Sequence, residues 1–105
     1  MHTPLPRLAF AGIGLMGLPM CQRLLAAGYP LVVWNRSPEK CAPLVELGAE
    51  QVLSPAQLCQ SADIVMLCLA DTEAVAEVMF AKQGIASAMS AQQILVDFSS
   101  IEPAA

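Results

Sequence analysis

Six residues, Gly12-Ile13-Gly14-Leu15-Met16-Gly17, constrain this chain more than any other stretch. They have the spacing G-x-G-x-x-G. They follow four apolar residues, Leu8-Ala9-Phe10-Ala11, and open a segment in which Met16, Met20 and Leu24 recur every fourth position. The apolar run reads as a buried strand and the recurrence as one face of a helix. Glycines at this spacing are weak evidence alone; a strand before them and a helix after them give the spacing its meaning. In that setting Gly12 allows a tight turn out of the strand. Gly14 lets the backbone come close to a pyrophosphate, and Gly17 lets the helix lie close on the strand. The unpaired amides of the first helical turn, with the helix dipole, then face the ligand's negative charge. Pro19 falls in that turn, where the N–H groups have no intrahelical partner to lose.

The competing reading of this stretch is an export signal, with Arg7 as its basic flank and Leu18-Pro19-Met20-Cys21 as a lipid-anchor cleavage site. Cleavage wants small residues before the cut, and Pro19 and Met20 are not small. The rest of the chain also argues against it, because the strand–helix alternation continues to the end. Strands are predicted at about residues 7–11, 31–34, 50–53, 64–69 and 94–98. The first helix is predicted over 15–27, stopping at Gly28. The second starts at Ser37-Pro38, carries Cys41, Leu44, Val45 and Leu47, and stops at Gly48. Ser54-Pro55-Ala56-Gln57 has the letters of a capping box. Asp71 caps a helix carrying Val75, Val78, Met79 and Phe80, and a short amphipathic piece runs on to about Met89. This order implies an α/β fold: a single Rossmann-type domain with a doubly wound parallel sheet, over residues 7–105 behind a leader of residues 1–6. Three loops are expected to meet at the carboxyl ends of the strands: Gly12 to Gly17, Asn35 to Ser37, and Leu69 to Thr72.

Composition agrees with this reading. With 56% hydrophobic and 13% charged residues, the chain suits strands buried on both faces. No uninterrupted apolar run reaches the roughly 18 residues of a membrane span. A net charge of −4 lacks the basic footprint of a nucleic-acid binder. The four cysteines, Cys21, Cys41, Cys59 and Cys68, show no C-x-x-C spacing, so they are expected to be free thiols in a reducing, cytoplasmic setting. His2, in the Pro-broken leader, is expected to be a solvated tail residue. The low charge also suggests a surface partly covered, by a longer chain or by oligomerisation.

The end of the second strand bears on the nucleotide. An NAD site expects an acidic residue about 20 residues past the glycines, bonded to the ribose hydroxyls. Here Asn35 stands eighteen residues after Gly17, followed by Arg36 and Ser37. Asn35 can hydrogen-bond a ribose or phosphate oxygen, Arg36 offers a planar fork of donors suited to phosphate, and Ser37 adds a hydroxyl and an amide. The trio favours the 2′-phosphate of NADP over NAD, and argues against FAD and S-adenosylmethionine. The bland alternative makes Arg36 a solvated charge and Ser37 only a cap. Ser99-Ser100 after the last strand could hold substrate or the nicotinamide end, or be an ordinary polar loop. Asp71 and Asp97 read first as local caps, and Glu73 and Glu77 as a solvated helix face.

Several segments in order resemble the β-hydroxyacid dehydrogenases: Phe10-Ala11-Gly12-Ile13-Gly14-Leu15-Met16-Gly17-Leu18-Pro19-Met20, Trp34-Asn35-Arg36-Ser37-Pro38-Glu39-Lys40, Leu47-Gly48-Ala49, Ser54-Pro55-Ala56 and Val96-Asp97-Phe98-Ser99-Ser100-Ile101-Glu102-Pro103. That family includes 3-hydroxyisobutyrate dehydrogenase and tartronate semialdehyde reductase, with 6-phosphogluconate dehydrogenase a relative. The resemblance implies an NAD(P)-dependent oxidoreductase of small 3-hydroxy acids or their semialdehydes. By position it makes Gly12, Ile13, Gly14, Leu15, Met16 and Gly17 the pyrophosphate loop and Asn35, Arg36 and Ser37 the NADP-preferring end. It makes Leu69, Ala70 and Asp71 a cofactor loop, and Ser100 a contact to cofactor and substrate. Ile13, Cys21, Arg23 and Ala70 depart from the family's usual residues at those positions. The family's catalytic lysine lies beyond Ala105, and neither Lys40 nor Lys82 matches it. A helical second domain, which completes the substrate site and builds the oligomer, would also lie beyond. The chain is therefore expected to be the amino-terminal cofactor domain of a longer enzyme, inactive alone. A non-catalytic NADP(H)-binding or sensing module is the alternative.

Overall fold

A computed structural model describes residues 5–14, 16–60, 62–69, 72–80, 84–90 and 92–97. Five strands form one parallel sheet: β1 (Leu8–Ala11), β2 (Leu31–Trp34), β3 (Glu50–Gln51), β4 (Ile64–Leu67) and β5 (Ile94–Asp97). Their order across the sheet is β3-β2-β1-β4-β5. β1 is central, pairing Leu8 with Leu31 on one side and with Ile64 on the other. The helices are α1 (Gly17–Ala26), α2 (Ala42–Glu46), α3 (Pro55–Leu58), α4 (Thr72–Phe80) and α5 (Ile85–Ala88).

The period of two along β1 divides the core. Leu8 and Phe10 join Leu31, Val33, Cys21 of α1 and Leu44 of α2 on one face. Ala9 and Ala11 join Val65, Leu67, Leu58 of α3, Val78 of α4 and Ile85 of α5 on the other. All four β1 residues are buried, as expected of a strand with helices on both sides. The doubly wound arrangement read from the sequence is therefore present.

α1 and α2 both end in the Schellman pattern. Tyr29 N–H donates to the Leu24 carbonyl and Gly28 N–H to that of Leu25; Ala49 and Gly48 repeat this on Leu44 and Val45. Both glycines hold positive φ, 92° and 109°, so each stop expected from sequence is made.

Several local expectations are corrected. α1 starts at Gly17, not Leu15. The segment after Ser37 opens as a 3₁₀ turn, Pro38–Cys41, before α2. Pro43 has no N–H to return to the Glu39 carbonyl, and Ala42 N–H takes it instead. Ser37 sits at the cap position, but its side chain makes no capping hydrogen bond. Cys41 and Leu44 are fully buried, whereas Val45 and Leu47 are exposed, because so short a helix presents only one narrow stripe to the sheet. Phe80, at the end of α4, is likewise exposed. β3 stops at Gln51 instead of Leu53. The N–H groups of Leu53 and Ser54 donate to Gln57 Oε1 at 2.8 and 3.0 Å, which draws them from the ladder into the cap of α3. β4 ends at Leu67, and Phe98 lies outside the described residues. Among the described residues β5 lies at the edge of the sheet, and Ile94 and Leu95 are exposed where burial on both faces was expected.

The four cysteines are free; Cys21, Cys41 and Cys59 are buried and Cys68 is half-buried. Burial pushes all four thiols up, that of Cys21 to about 12. They stay protonated and behave as small apolar side chains.

Candidate functional site

The sheet order puts the carboxyl end of β1 between those of β2 and β4. The loop that begins at Gly12 is tied to both. Gly12 N–H donates to the Trp34 carbonyl at 3.0 Å, and Cys68 N–H donates to the Ala11 carbonyl at 2.9 Å.

The three glycines meet three different surroundings. Gly12 has φ +102°, and a Cβ there would lie 2.1 Å from the Cys68 carbonyl oxygen and 3.0 Å from the Leu69 side chain. Gly17 begins α1, and a Cβ there would lie 2.1 Å from the Gly12 carbonyl oxygen. The turn and the close approach of helix to strand both need hydrogen at these positions. Gly14 is different. It is exposed, and a Cβ there would meet nothing within 4 Å. The fold itself does not require this glycine, and the open space beside it is where a ligand's phosphate can reach the backbone.

Asn35 braces the loop. Its side-chain oxygen accepts from Ile13 N–H at 2.8 Å, and its amide nitrogen donates to the Ser37 carbonyl at 3.0 Å. Ile13 is a core residue, 3% exposed. Asn35 was expected to face a ribose or phosphate oxygen, and here it first joins the end of β2 to the glycine loop. Replacing Asn35 with alanine leaves the Ile13 amide without its partner. The expected loss is about 1–3 kcal/mol of stability, the usual penalty for such a group. Urea unfolding measures it.

Arg36 projects into solvent, its side chain 76% exposed, and its guanidinium lies 3.5 Å from a carboxylate oxygen of Glu77 on α4. Glu77 was read as part of a solvated face; it is exposed, but it is paired with the residue expected to choose the cofactor. Between α1 and the 3₁₀ turn lies a cavity of about 390 Å³, lined by Ile13, Gly14, Leu18, Glu39, Lys40 and Pro43. Lys40 thus brings a second cation near the glycine loop. From the sequence Lys40 has no role, since it does not match the family's catalytic lysine; its position three residues after Ser37, one turn on, was the available signal.

Leu69 is described and lies beside Gly12. Leu15, Ala70, Asp71 and Ser100 lie outside the described residues. Among the described residues no group of three or more His, Cys, Asp or Glu could hold a metal ion. No described helix is long and apolar enough to cross a membrane.

Residues 7–105 match the family model described as the NAD binding domain of 6-phosphogluconate dehydrogenase. The chain belongs to this family of NAD-binding domains. Its resemblance to the β-hydroxyacid dehydrogenases is thus supported along almost its whole length. A glyoxylate/succinic semialdehyde reductase 2 of Arabidopsis thaliana chloroplasts is 39% identical over 97 residues, covering 92% of this chain and 27% of the relative. The cytokine-like nuclear factor N-PAC of Xenopus tropicalis is 32% identical over 97 residues, 92% of this chain and 18% of that protein. Among solved structures, Psf3 in complex with NADP+ and 2-OPP superposes with a TM-score of 0.84 at 35% identity, covering 90% of this chain and 34% of Psf3. This chain thus spans about a third or less of these relatives. For an NAD-binding domain of this family, the open space beside Gly14 fits a dinucleotide pyrophosphate. The first-turn amides expected to face it are largely taken: Leu18 N–H donates to the Gly14 carbonyl at 3.0 Å, Met20 N–H donates to the Met16 carbonyl at 3.4 Å, and Pro19 has none.

Proposed function

We propose that this domain binds NADP and serves an oxidoreductase that interconverts a small 3-hydroxy acid and its semialdehyde, on the 3-hydroxyisobutyrate dehydrogenase side of the family. The observation that carries the cofactor choice is the end of β2, where Asn35 takes the position that an NAD site fills with a carboxylate and Arg36, next to it, stands exposed. The semialdehyde reductase among the relatives and the NADP+ held by Psf3 support the reading.

In this reading the loop from Gly12 to Gly17, including Leu15 and Met16, holds the pyrophosphate, with Asn35 keeping the loop in place. Arg36 and Ser37 receive the 2′-phosphate. Leu69, Ala70 and Asp71 line the cofactor cleft, and Ser100 touches cofactor and substrate. When bound, NADP would supply or accept a hydride, and the substrate's hydroxyl proton would pass to or from the family's catalytic lysine, which neither Lys40 nor Lys82 matches. The whole enzyme would be a cytoplasmic homo-oligomer acting on a small molecule and neither on nucleic acid nor on membranes. The N-PAC relative is named a cytokine-like nuclear factor, which supports a second reading as an NADP(H)-binding module without turnover. Activity of the full-length gene product with 3-hydroxy acids separates the two.

Calorimetric titration of the 105-residue chain with 2′,5′-ADP and 5′-AMP tests the cofactor assignment. A charge-assisted contact at Arg36 is worth about 1.5–3 kcal/mol, or about 10–100-fold in affinity. The expected result is that 2′,5′-ADP binds tighter by that margin and that Arg36→Ala removes the difference. Equal binding of the two ligands by the unaltered chain would make NAD the cofactor.

A further inference from the structure

We infer that Glu77 is a cofactor-selectivity residue: it competes with the 2′-phosphate for Arg36 and so holds down the domain's preference for NADP over NAD. The inference rests on the assignment of Arg36 to the 2′-phosphate.

The two residues come from segments that follow the strands on either side of β1. Arg36 lies two positions past the end of β2, and Glu77 lies on α4, the helix that follows β4. β2 and β4 are not neighbours in the sheet; β1, with the glycine loop at its carboxyl end, lies between them. The 3.5 Å pair therefore reaches across the strand end that carries the loop. A carboxylate and a ribose 2′-phosphate seek the same thing from a guanidinium, its planar fork of N–H donors. A nucleotide with a 2′-phosphate must either take Arg36 from Glu77 or share it with a like charge alongside. A nucleotide with a 2′-hydroxyl brings no second anion and meets no such opposition. Both side chains are well exposed, 76% and 59%. The pair is accordingly weak, screened by salt and displaceable. That makes Glu77 a graded control on selectivity and gives it little share in the fold.

The test compares the unaltered chain with Glu77→Gln, Arg36→Ala and the double variant, each titrated with 2′,5′-ADP and 5′-AMP at low and at high salt. Glu77→Gln keeps the side chain's shape and removes its charge. It is expected to tighten 2′,5′-ADP by roughly two- to five-fold at low salt, the range for an exposed ion pair. It should leave 5′-AMP unchanged, and the gain should shrink at high salt. In the Arg36→Ala background the gain should vanish, because Glu77 acts through that guanidinium. Unfolding midpoints unchanged from the unaltered chain would show that the fold is retained. If Arg36→Ala abolishes the 2′,5′-ADP preference while Glu77→Gln leaves it unchanged or lowers it, the Glu77 proposal is overturned and the NADP assignment stands. A gain that survives without Arg36 also overturns it. If Arg36→Ala has no effect on either ligand, both fall.

Discussion

Gly17→Ala is expected to be among the most damaging single substitutions in this chain, with Gly12→Ala beside it. Position 17 is the first residue of α1, and its φ is not positive. By helix propensity alone alanine should help by about 1 kcal/mol. The surroundings reverse the sign. The new methyl would lie 2.1 Å from the Gly12 carbonyl oxygen. That atom is backbone and cannot swing aside as a side chain could, so α1 must lift from β1 and loosen the core cluster that holds Cys21 and Phe10. At Gly12 two penalties act together, a left-handed backbone that disfavours a side chain and a 2.1 Å approach to the Cys68 carbonyl. Strain of about 1–3 kcal/mol and overpacking of about 1–3 kcal/mol are large against a typical stability of about 5–15 kcal/mol. Thermal unfolding should show Tm lowered by roughly 5–20 °C for Gly17→Ala and by more for Gly12→Ala, where both penalties act. A Tm within a degree or two of the unaltered chain would mean that helix and strand are not packed this closely.

Gly14→Ala is expected to do the opposite: leave the fold intact and abolish most nucleotide binding. Its methyl would meet no atom of the chain within 4 Å, and its backbone does not need positive φ. Gly→Ala at such a site stabilises by about 0.4–1 kcal/mol, through the smaller conformational freedom of the unfolded chain. The space that the methyl enters is the space proposed for the pyrophosphate. Crowding a bound group there costs about 1–3 kcal/mol, or about 5- to 150-fold in affinity. The measurement is paired: Tm by calorimetry, and affinity for NADP+, which carries the pyrophosphate, by titration. A Tm held or raised with affinity lost marks Gly14 as a ligand-facing glycine. Unchanged affinity in a folded variant would remove the pyrophosphate from this loop. The two predictions give three glycines of one motif two opposite phenotypes, which a purely structural glycine loop would not produce.

Much of this was legible without coordinates. The five strands, the helix stops at Gly28 and Gly48, and the distinct parts of Gly12 and Gly17 follow from short-range patterns. The misreadings were also local in cause. Pro43 turned an expected helix start into a 3₁₀ turn. Gln57 took the amides of Leu53 and Ser54 that would have lengthened β3. Val45, Leu47 and Phe80 were read as apolar-face residues because they are apolar, although their elements are too short or too near an end to bury them.

What the sequence alone determined is the order of elements, the glycine loop between a strand and a helix, and the missing acid after β2. Each depends on periodicity or backbone freedom within a few residues, and these are written in neighbouring letters. What only the tertiary structure decided is which distant groups face each other. Asn35 meets the Ile13 amide across a separation of 22 residues. Arg36 meets Glu77 from the far side of β1. Ile94 and Leu95 stand exposed on β5, which among the described residues lies at the edge of the sheet. Such pairings are set by strand order and register, through hydrogen bonds and burial between segments remote in the chain, and local periodicity does not carry them.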